Sequence, residues 1–276
     1  MGNMIDSNGD CRLRDLDLLA ALGNLAVQAG RRIEAVRTAG APAHLKADGS
    51  PVTEADRASE AIVLAGLADL CPGIPAASEE AVAAGIVPPA KDRLFLVDPL
   101  DGTKEFLAGN GEYAVNIALV VGGRPVLGVV HAPVGGDTWL GLVGAGAWRA
   151  APARDGLAPR SAWQPIHCRP RPAVPTVALS RTHLDPETER AVAALGPTTC
   201  LRLGSALKFA VIAEGRADLY LRLGMVREWD IAAGHALLIA AGGTVTAPDG
   251  SPLLYGKAEE GFAVNGFRAS GAPASD

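Results

Sequence analysis

The stretch Arg93-Leu-Phe-Leu-Val-Asp98-Pro-Leu-Asp101-Gly-Thr-Lys-Glu-Phe106 runs from an apolar strand into two acids at i, i+3, followed by a Gly-Thr pair that opens a short helix. Two carboxylates this close repel each other unless a cation sits between them. Hard oxygen ligands suit Mg²⁺, which is commonly held by one or two carboxylates together with substrate phosphate oxygens. Free N–H groups at the start of the following helix provide a place for the phosphate. Taken alone, the same spacing also describes a solvated acidic turn.

Working outward, Leu18, Leu22, Leu25, Ala29 and Ile33 recur at intervals of four and three, predicting a helix over Asp15 to Arg37 that ends at Gly40 and Pro42. Lys46-Ala-Asp-Gly-Ser-Pro51 is turn chemistry, and Thr53 is placed to cap a helix reaching Leu70, with Asp56 in its first turn. Downstream, strands are expected over Tyr113–Val121, Pro125–His131 and Thr138–Val143, the first two joined by Gly122-Gly123 as a hairpin. Helices followed by an antiparallel sheet is α+β order. The segment Ala150–Arg160 contains two prolines and a glycine and is the expected boundary, dividing the chain into 1–152 and 153–276. Beyond it, strands (Val174–Leu179, Thr199–Leu203, Ala217–Leu221) alternate with helices (Pro186–Leu195, Ser205–Glu214, Trp229–Ala241), as in a sheet flanked by helices.

The chain has 276 residues, 49% of them hydrophobic, enough for a sizeable core. Its formal net charge is −5, so no basic stripe points to a nucleic-acid polymer. The N-terminal region lacks the apolar stretch of a signal peptide, and no run of about 18 apolar residues suggests a transmembrane segment. Cys11, Cys71, Cys168 and Cys200 form no CxxC pair; the expectation is four reduced thiols, with neither a zinc site nor a disulfide framework.

Three further acidic clusters bear on the Asp98–Asp101 pair: Asp48 and Asp56, Ser78-Glu79-Glu80, and Asp230 at the start of a helix. Each alone is ordinary, since acids near a helix start complement its dipole. Together, Pro51-Val-Thr-Glu-Ala-Asp56, Ser78-Glu-Glu80, Asp98-Pro-Leu-Asp-Gly-Thr103 and Trp229-Asp-Ile-Ala-Ala-Gly234 resemble the four signature blocks of the inositol monophosphatase superfamily, in order across about 180 residues. Asn110-Gly-Glu112, Val115-Asn-Ile-Ala-Leu119, Leu127-Gly-Val-Val-His-Ala-Pro133, Ser180-Arg-Thr-His183 and Gly204-Ser-Ala-Leu-Lys-Phe209 are most similar to its bacterial 3′(2′),5′-bisphosphate nucleotidases.

The resemblance implies an α+β fold, the layered αβαβα sandwich of the inositol monophosphatase and fructose-1,6-bisphosphatase type. The N-terminal part would hold metal and the C-terminal part nucleotide, with the site in the cleft between them. It implies two or three Mg²⁺ ions: Glu79, Asp98 and the Leu100 carbonyl would hold one, and Asp98, Asp101 and Asp230 a second, with a weaker third near Glu79. Asp56 and Thr103 would orient and deprotonate the attacking water, and the Gly102 and Thr103 N–H groups would bind phosphate. His183, Ser205, Lys208 and Arg222 would contact the nucleotide, the last two meeting a 5′-phosphate. Ala206 stands where the resembling nucleotidases often have a second Ser, which removes one hydroxyl. The implied reaction is hydrolysis of adenosine 3′,5′-bisphosphate to AMP and phosphate, in sulfate assimilation or nucleotide recycling, with sensitivity to lithium. An inositol or sugar phosphate monophosphatase on the same scaffold is the alternative; the intact acidic set argues against a silent sensor. Haloacid-dehalogenase chemistry does not fit, because its two aspartates are separated by one residue and Asp98 and Asp101 by two. The expected partner is a small nucleotide bisphosphate, the expected assembly a monomer or homodimer, and the expected location the cytoplasm or the cytoplasmic face of the inner membrane. His235 is readable either as a pocket residue or as packed core, and Lys46 as part of an active-site loop.

Overall fold

Helix α1 (Asp15–Ala39) buries the apolar stripe that predicted it, Leu18, Leu22, Leu25, Ala29 and Ile33. The computed structural model describes residues 11–13, 15–40, 43–45, 51–89, 91–182 and 184–272; Lys46 and His183 lie outside them. Strands β1 (Ala43–Leu45) and β2 (Pro51–Thr53) pair antiparallel and lead into α2 (Glu54–Leu70). Thr53 caps α2 as expected. Its hydroxyl accepts the Ala55 N–H, and the Asp56 carboxylate accepts the Thr53 N–H, satisfying donors that a helix start leaves open.

The first sheet is built from β3 (Ala76–Ser78), which runs into the short α3 (Glu79–Ala83), then β4 (Arg93–Asp101), which runs into α4 (Thr103–Ala108). It continues with β5 (Ala114–Val121), β6 (Arg124–His131), β7 (Thr138–Leu142) and β8 (Gly146–Ala150). After a small hairpin of β9 (Pro152–Ala153) and β10 (Gly156–Leu157), β11 (Gln164–Pro165) closes its far edge. The seven strands lie in the order β11-β8-β7-β6-β5-β4-β3, antiparallel except for the β3–β4 pair. In the second half, β12 (Thr176–Ser180), α5 (Pro186–Ala193), β13 (Thr199–Leu203), α6 (Leu207–Ala213) and β14 (Leu219–Arg222) alternate. Next come β15 (Val226–Arg227), α7 (Glu228–Ala240), β16 (Thr244–Thr246), β17 (Ala263–Val264) and β18 (Phe267–Ser270). The second sheet has the order β13-β12-β14-β18-β16, with β13, β12 and β14 parallel.

Strand alternation divides the apolar residues between separate cores, because successive side chains point to opposite faces. Phe95 and Val97 of β4 enter the core under α1 and α2, whereas Leu94 and Leu96 enter the core shared with α6, α7 and the second sheet. Likewise Tyr220 of β14 faces that inner core, while Leu219 and Leu221 pack with Val192 of α5 on the outside. The layers are therefore α1/α2, the first sheet, α6/α7, the second sheet and α5: an αβαβα sandwich, as expected. Helix α7 lies between two sheets, and from Ile231 to Leu238 every residue is buried. Such a helix is apolar all round because it has no solvent face.

Three expectations need correction. Cys11 and Cys71 form a disulfide, where four thiols were expected; Cys168 and Cys200 are free. The Arg12 N–H donates to the Leu70 carbonyl, which pins the segment before α1 to the end of α2 and brings together cysteines 60 residues apart. Rules based on sequence spacing do not register such a meeting. Strand β4 does not stop at Val97 but continues through Asp101. Helix α6 starts at Leu207, after Ser205 at φ +50°. Among the described residues, no helix is long and apolar enough to cross a membrane.

Candidate active site

In a regular strand, residues at i and i+3 point to opposite faces. Asp98 and Asp101 nevertheless line the same cleft, because β4 carries one extra residue there. Asp98 pairs with Asn116 and Asp101 with Ala114, so three steps on β4 match two on β5. Such a bulge re-aims side chains beside a site. Between the two acids, Leu100 buries its side chain in the outer core, and its carbonyl lies 3.4 Å from the Thr103 hydroxyl.

Four helix starts bring the other polar groups to the same place. Asp56 is the third residue of α2, Glu79 the first of α3, Thr103 the first of α4 and Asp230 the third of α7. Gly102 precedes α4 at φ +96°, ψ +45°, a left-handed conformation natural to glycine. The cleft measures about 310 Å³, at the lower end for small-ligand sites, and Glu79, Asp98, Asp101, Gly102, Thr103, Ser205, Lys208, Arg222 and Asp230 all line it. Glu80 is not in the lining; Glu60 of α2 accepts the backbone N–H groups of Glu80 and Ala81 and so fixes the start of α3.

The acids stand in each other's field. Burial, followed by repulsion from Glu79, Asp101 and Asp230, pushes the Asp98 carboxyl far above the usual range. Asp101 is pushed up to about 6 mainly by burial, opposed by Lys208 and by hydrogen bonds from the Ala206 N–H (2.5 Å) and the Asn116 amide (3.1 Å). Asp230 rises to about 8 through burial and the charges of Asp101 and Glu79, with the Arg227 N–H bonded to its Oδ2 at 2.9 Å. Among the described residues, no three His, Cys, Asp or Glu side chains lie close enough to enclose a metal ion as they stand. The acids ring the cleft rather than meeting at a point. Oxygen-only donors with unrelieved like charge nonetheless fit a hard divalent cation, which would displace the protons that burial favours.

Asp56 and Thr103 form a separate pair. Asp56 is buried; its Oδ2 accepts the Thr53 N–H and hydroxyl, both at 2.7 Å, and its Oδ1 accepts the Thr103 hydroxyl at 3.1 Å. Burial raises its pKa, against the hydrogen bonds from Thr53. With its one hydrogen committed to Asp56, the Thr103 oxygen keeps its lone pairs for another donor.

Across the cleft, Lys208 is buried, with Nζ donating to the Ser205 carbonyl at 2.5 Å and the Leu203 carbonyl at 3.3 Å. The ammonium lies 5.0 Å from the centre of the Tyr220 ring, and the Tyr220 hydroxyl bonds Arg222. Burial lowers Lys208 to about 8, against the pull of Asp101. The carboxyl ends of the three parallel strands β12, β13 and β14 open toward this wall, where ligands of such sheets commonly bind. His235 is buried on α7, outside the cleft lining, with Nδ1 bonded to the Tyr255 hydroxyl at 2.7 Å and a pKa near 4 caused by burial.

The sequence profile of the inositol monophosphatase family matches residues 16–271. The chain belongs to the inositol monophosphatase family. Its enzymes are metal-dependent. Within the family, the chain is 42% identical over 255 residues to the 3′(2′),5′-bisphosphate nucleotidase CysQ of Escherichia coli O157:H7, covering 92% of this chain and 99% of that one. It is 44% identical to CysQ of Escherichia coli K12 over 225 residues, covering 82% and 87%. The crystal structure of CysQ from Bacteroides thetaiotaomicron superposes with a TM-score of 0.78 at 34% identity, covering 92% of this chain and 97% of that one. Inositol monophosphatase of Zymomonas mobilis has a TM-score of 0.74 at 27% identity, covering 93% of each.

Two residues at this family member's cleft escaped the sequence reading. Asn116, whose amide donates to Asp101, is a buried polar residue in an otherwise apolar strand, a legible signal; Tyr220, whose ring lies beside the Lys208 ammonium, reads only as another strand aromatic.

Proposed function

We propose that the chain is a phosphatase that removes the 3′-phosphate of adenosine 3′,5′-bisphosphate, giving AMP and phosphate, with two or three Mg²⁺ ions. The observation that carries this reading is that one cleft is lined by both kinds of group, the carboxylates of Glu79, Asp98, Asp101 and Asp230 together with Lys208 and Arg222. A substrate with two phosphates brings a second anion to Lys208 and Arg222, whereas an inositol monophosphate brings none. The curated relatives with this activity support the same choice. The division of labour follows the sequence, with 1–152 supplying most metal ligands and 153–276 most nucleotide contacts.

Glu79, Asp98, the Leu100 carbonyl, Asp101 and Asp230 would hold the metal. When bound, Mg²⁺ lowers the pKa of water and neutralises phosphate charge. The Thr103 oxygen accepts a hydrogen bond from the attacking water and so orients it, while its own hydrogen points at Asp56 Oδ1. A proton leaving the water passes to Thr103, and the Thr103 proton to Asp56, whose raised pKa makes it a stronger base. The N–H groups of Gly102 and Thr103 hold the reacting phosphate at the start of α4. Lys208 supplies a point charge and Arg222 a planar fork to the second phosphate, while Ser205 and His183 complete the nucleotide contacts. The uncatalysed reaction is among the slowest known, so positioning and charge stabilisation carry most of the acceleration.

Incubation of the chain with adenosine 3′,5′-bisphosphate and Mg²⁺, followed by chromatography, tests the reading. It predicts one phosphate released and 5′-AMP as the nucleotide product; 3′-AMP, or no release, overturns it.

A further inference from the structure

Glu112 belongs to Asn110-Gly-Glu112, a motif with no part in the mechanism above. Its carboxylate accepts two hydrogen bonds from the Arg181 guanidinium, Nε at 2.7 Å and Nη2 at 2.6 Å, and a third from the Gly204 N–H at 2.9 Å. Arg181 also donates to the Arg202 carbonyl at 2.9 Å. One carboxylate on the loop before β5 thus ties the end of β12 to the end of β13. Gly204 is packed against the same loop: a Cβ there would lie 2.3 Å from the Glu112 carbonyl oxygen. Two residues on, the Ala206 N–H is bonded to Asp101, and the intervening Ser205 is held at φ +50°, unfavourable for a residue with a Cβ. The Ser205 carbonyl in turn receives Lys208 Nζ.

Residues 204–208 are therefore suspended between two carboxylates, Asp101 of the metal wall and Glu112 of the clamp. We propose that Glu112, through Arg181 and Gly204, is a positioning residue that fixes Ser205 and Lys208 at the spacing from the acids that a substrate with a second phosphate requires. The inference rests on the reading that the cation wall takes that phosphate. Glu112 is outside the cleft lining and acts through the segment, not on the substrate. A bidentate guanidinium–carboxylate pair suits this task, because its planar geometry sets distance and orientation together. Displacement of binding groups by about 1 Å is enough to cost about 10²-fold in a positioned reaction.

The test uses the full chain with Mg²⁺ and two substrates, adenosine 3′,5′-bisphosphate and 3′-AMP, which lacks the 5′-phosphate. Glu112→Gln keeps an acceptor but loses the ionic fork. It is expected to raise KM for the bisphosphate about tenfold, with kcat for either substrate within about twofold and only about a twofold rise in KM for 3′-AMP, whose contact at Ser205 shifts as well. Arg181→Lys, milder for the fold, is expected to show the same selective rise at smaller size. Equal losses on both substrates, or no change on either, overturn the proposal. Amide hydrogen exchange across residues 204–208 separates this failure from failure of the functional reading. Faster exchange there in Glu112→Gln is required whichever substrate the enzyme prefers, and unchanged exchange refutes the clamp even if the bisphosphate is the substrate.

Discussion

On one wall of the cleft, Asp98, Asp101 and Asp230 are packed so that burial and mutual repulsion favour their protonated forms. On the other, Lys208 is buried as deeply as Asp98, but backbone carbonyls and an aromatic face surround its ammonium. The first wall is left with like charge unrelieved by the protein; the second is held mainly by backbone carbonyls and the Tyr220 ring, with Asp101, Glu105 and Glu112 near enough to favour its charge. A cation completes the former and an anion suits the latter. An acidic chain can thus receive a highly charged nucleotide, because sign is set locally and not by the net charge of −5.

The comparison breaks most visibly at Asp98. Asp98→Asn removes the oxygen ligand that the proposed function has two metal ions share, and is expected to lower kcat by about 10³-fold. The same change relieves repulsion, so without metal the variant should melt no lower than the wild type by calorimetry. A clear drop in metal-free melting temperature would mean that the acid wall is structurally satisfied as it stands. Next in size is Lys208→Met, for which KM for the bisphosphate should rise about 10–100-fold. Turnover of 3′-AMP should fall far less, and steady-state kinetics on both substrates read the difference.

A third test sets pH against metal. The folded state keeps protons on Asp101 to about pH 6 and on Asp230 to about pH 8, whereas the unfolded chain releases them near pH 4. The contribution of these protons to stability is fully present below pH 4 and is lost as the pH rises through 6 and then 8. Metal-free protein should therefore melt progressively lower between pH 5 and 8.5, and Mg²⁺ at about 100 times its Kd should restore about 5 °C at the upper end. A metal-independent melting curve across that range would contradict the contrast between the walls. The smallest effect is expected at His235, which belongs to neither wall. His235→Phe should leave activity within about twofold while stability falls by about 1–2 kcal/mol, from the lost partner of the buried Tyr255 hydroxyl.

Much of this was legible in the sequence because it rests on local rules. The leucine stripe of α1, the Thr53 cap and the Thr199–Leu203 strand follow from spacing, capping and turn chemistry alone. The Asp98–Asp101 pair was legible as a site, yet its geometry was not: the bulge that turns both acids to one face depends on the register against β5, which spacing does not encode. The meetings of Cys11 with Cys71, Glu60 with the start of α3, and Glu112 with Arg181 and Gly204 were likewise invisible. Each joins segments that only the packed layers bring together. By its place in a helix alone Lys208 reads equally well as a solvated residue, and its burial beside the Tyr220 ring is what the sequence does not encode.

The central claim is that the two walls together select a substrate with two phosphates. Side-by-side phosphate-release assays in Mg²⁺ give kcat/KM for adenosine 3′,5′-bisphosphate and for inositol 1-phosphate. With the Lys208 and Arg222 contacts used only by the former, the ratio should be at least about 10² in favour of the bisphosphate. Equal values, or faster turnover of inositol 1-phosphate, would contradict the account.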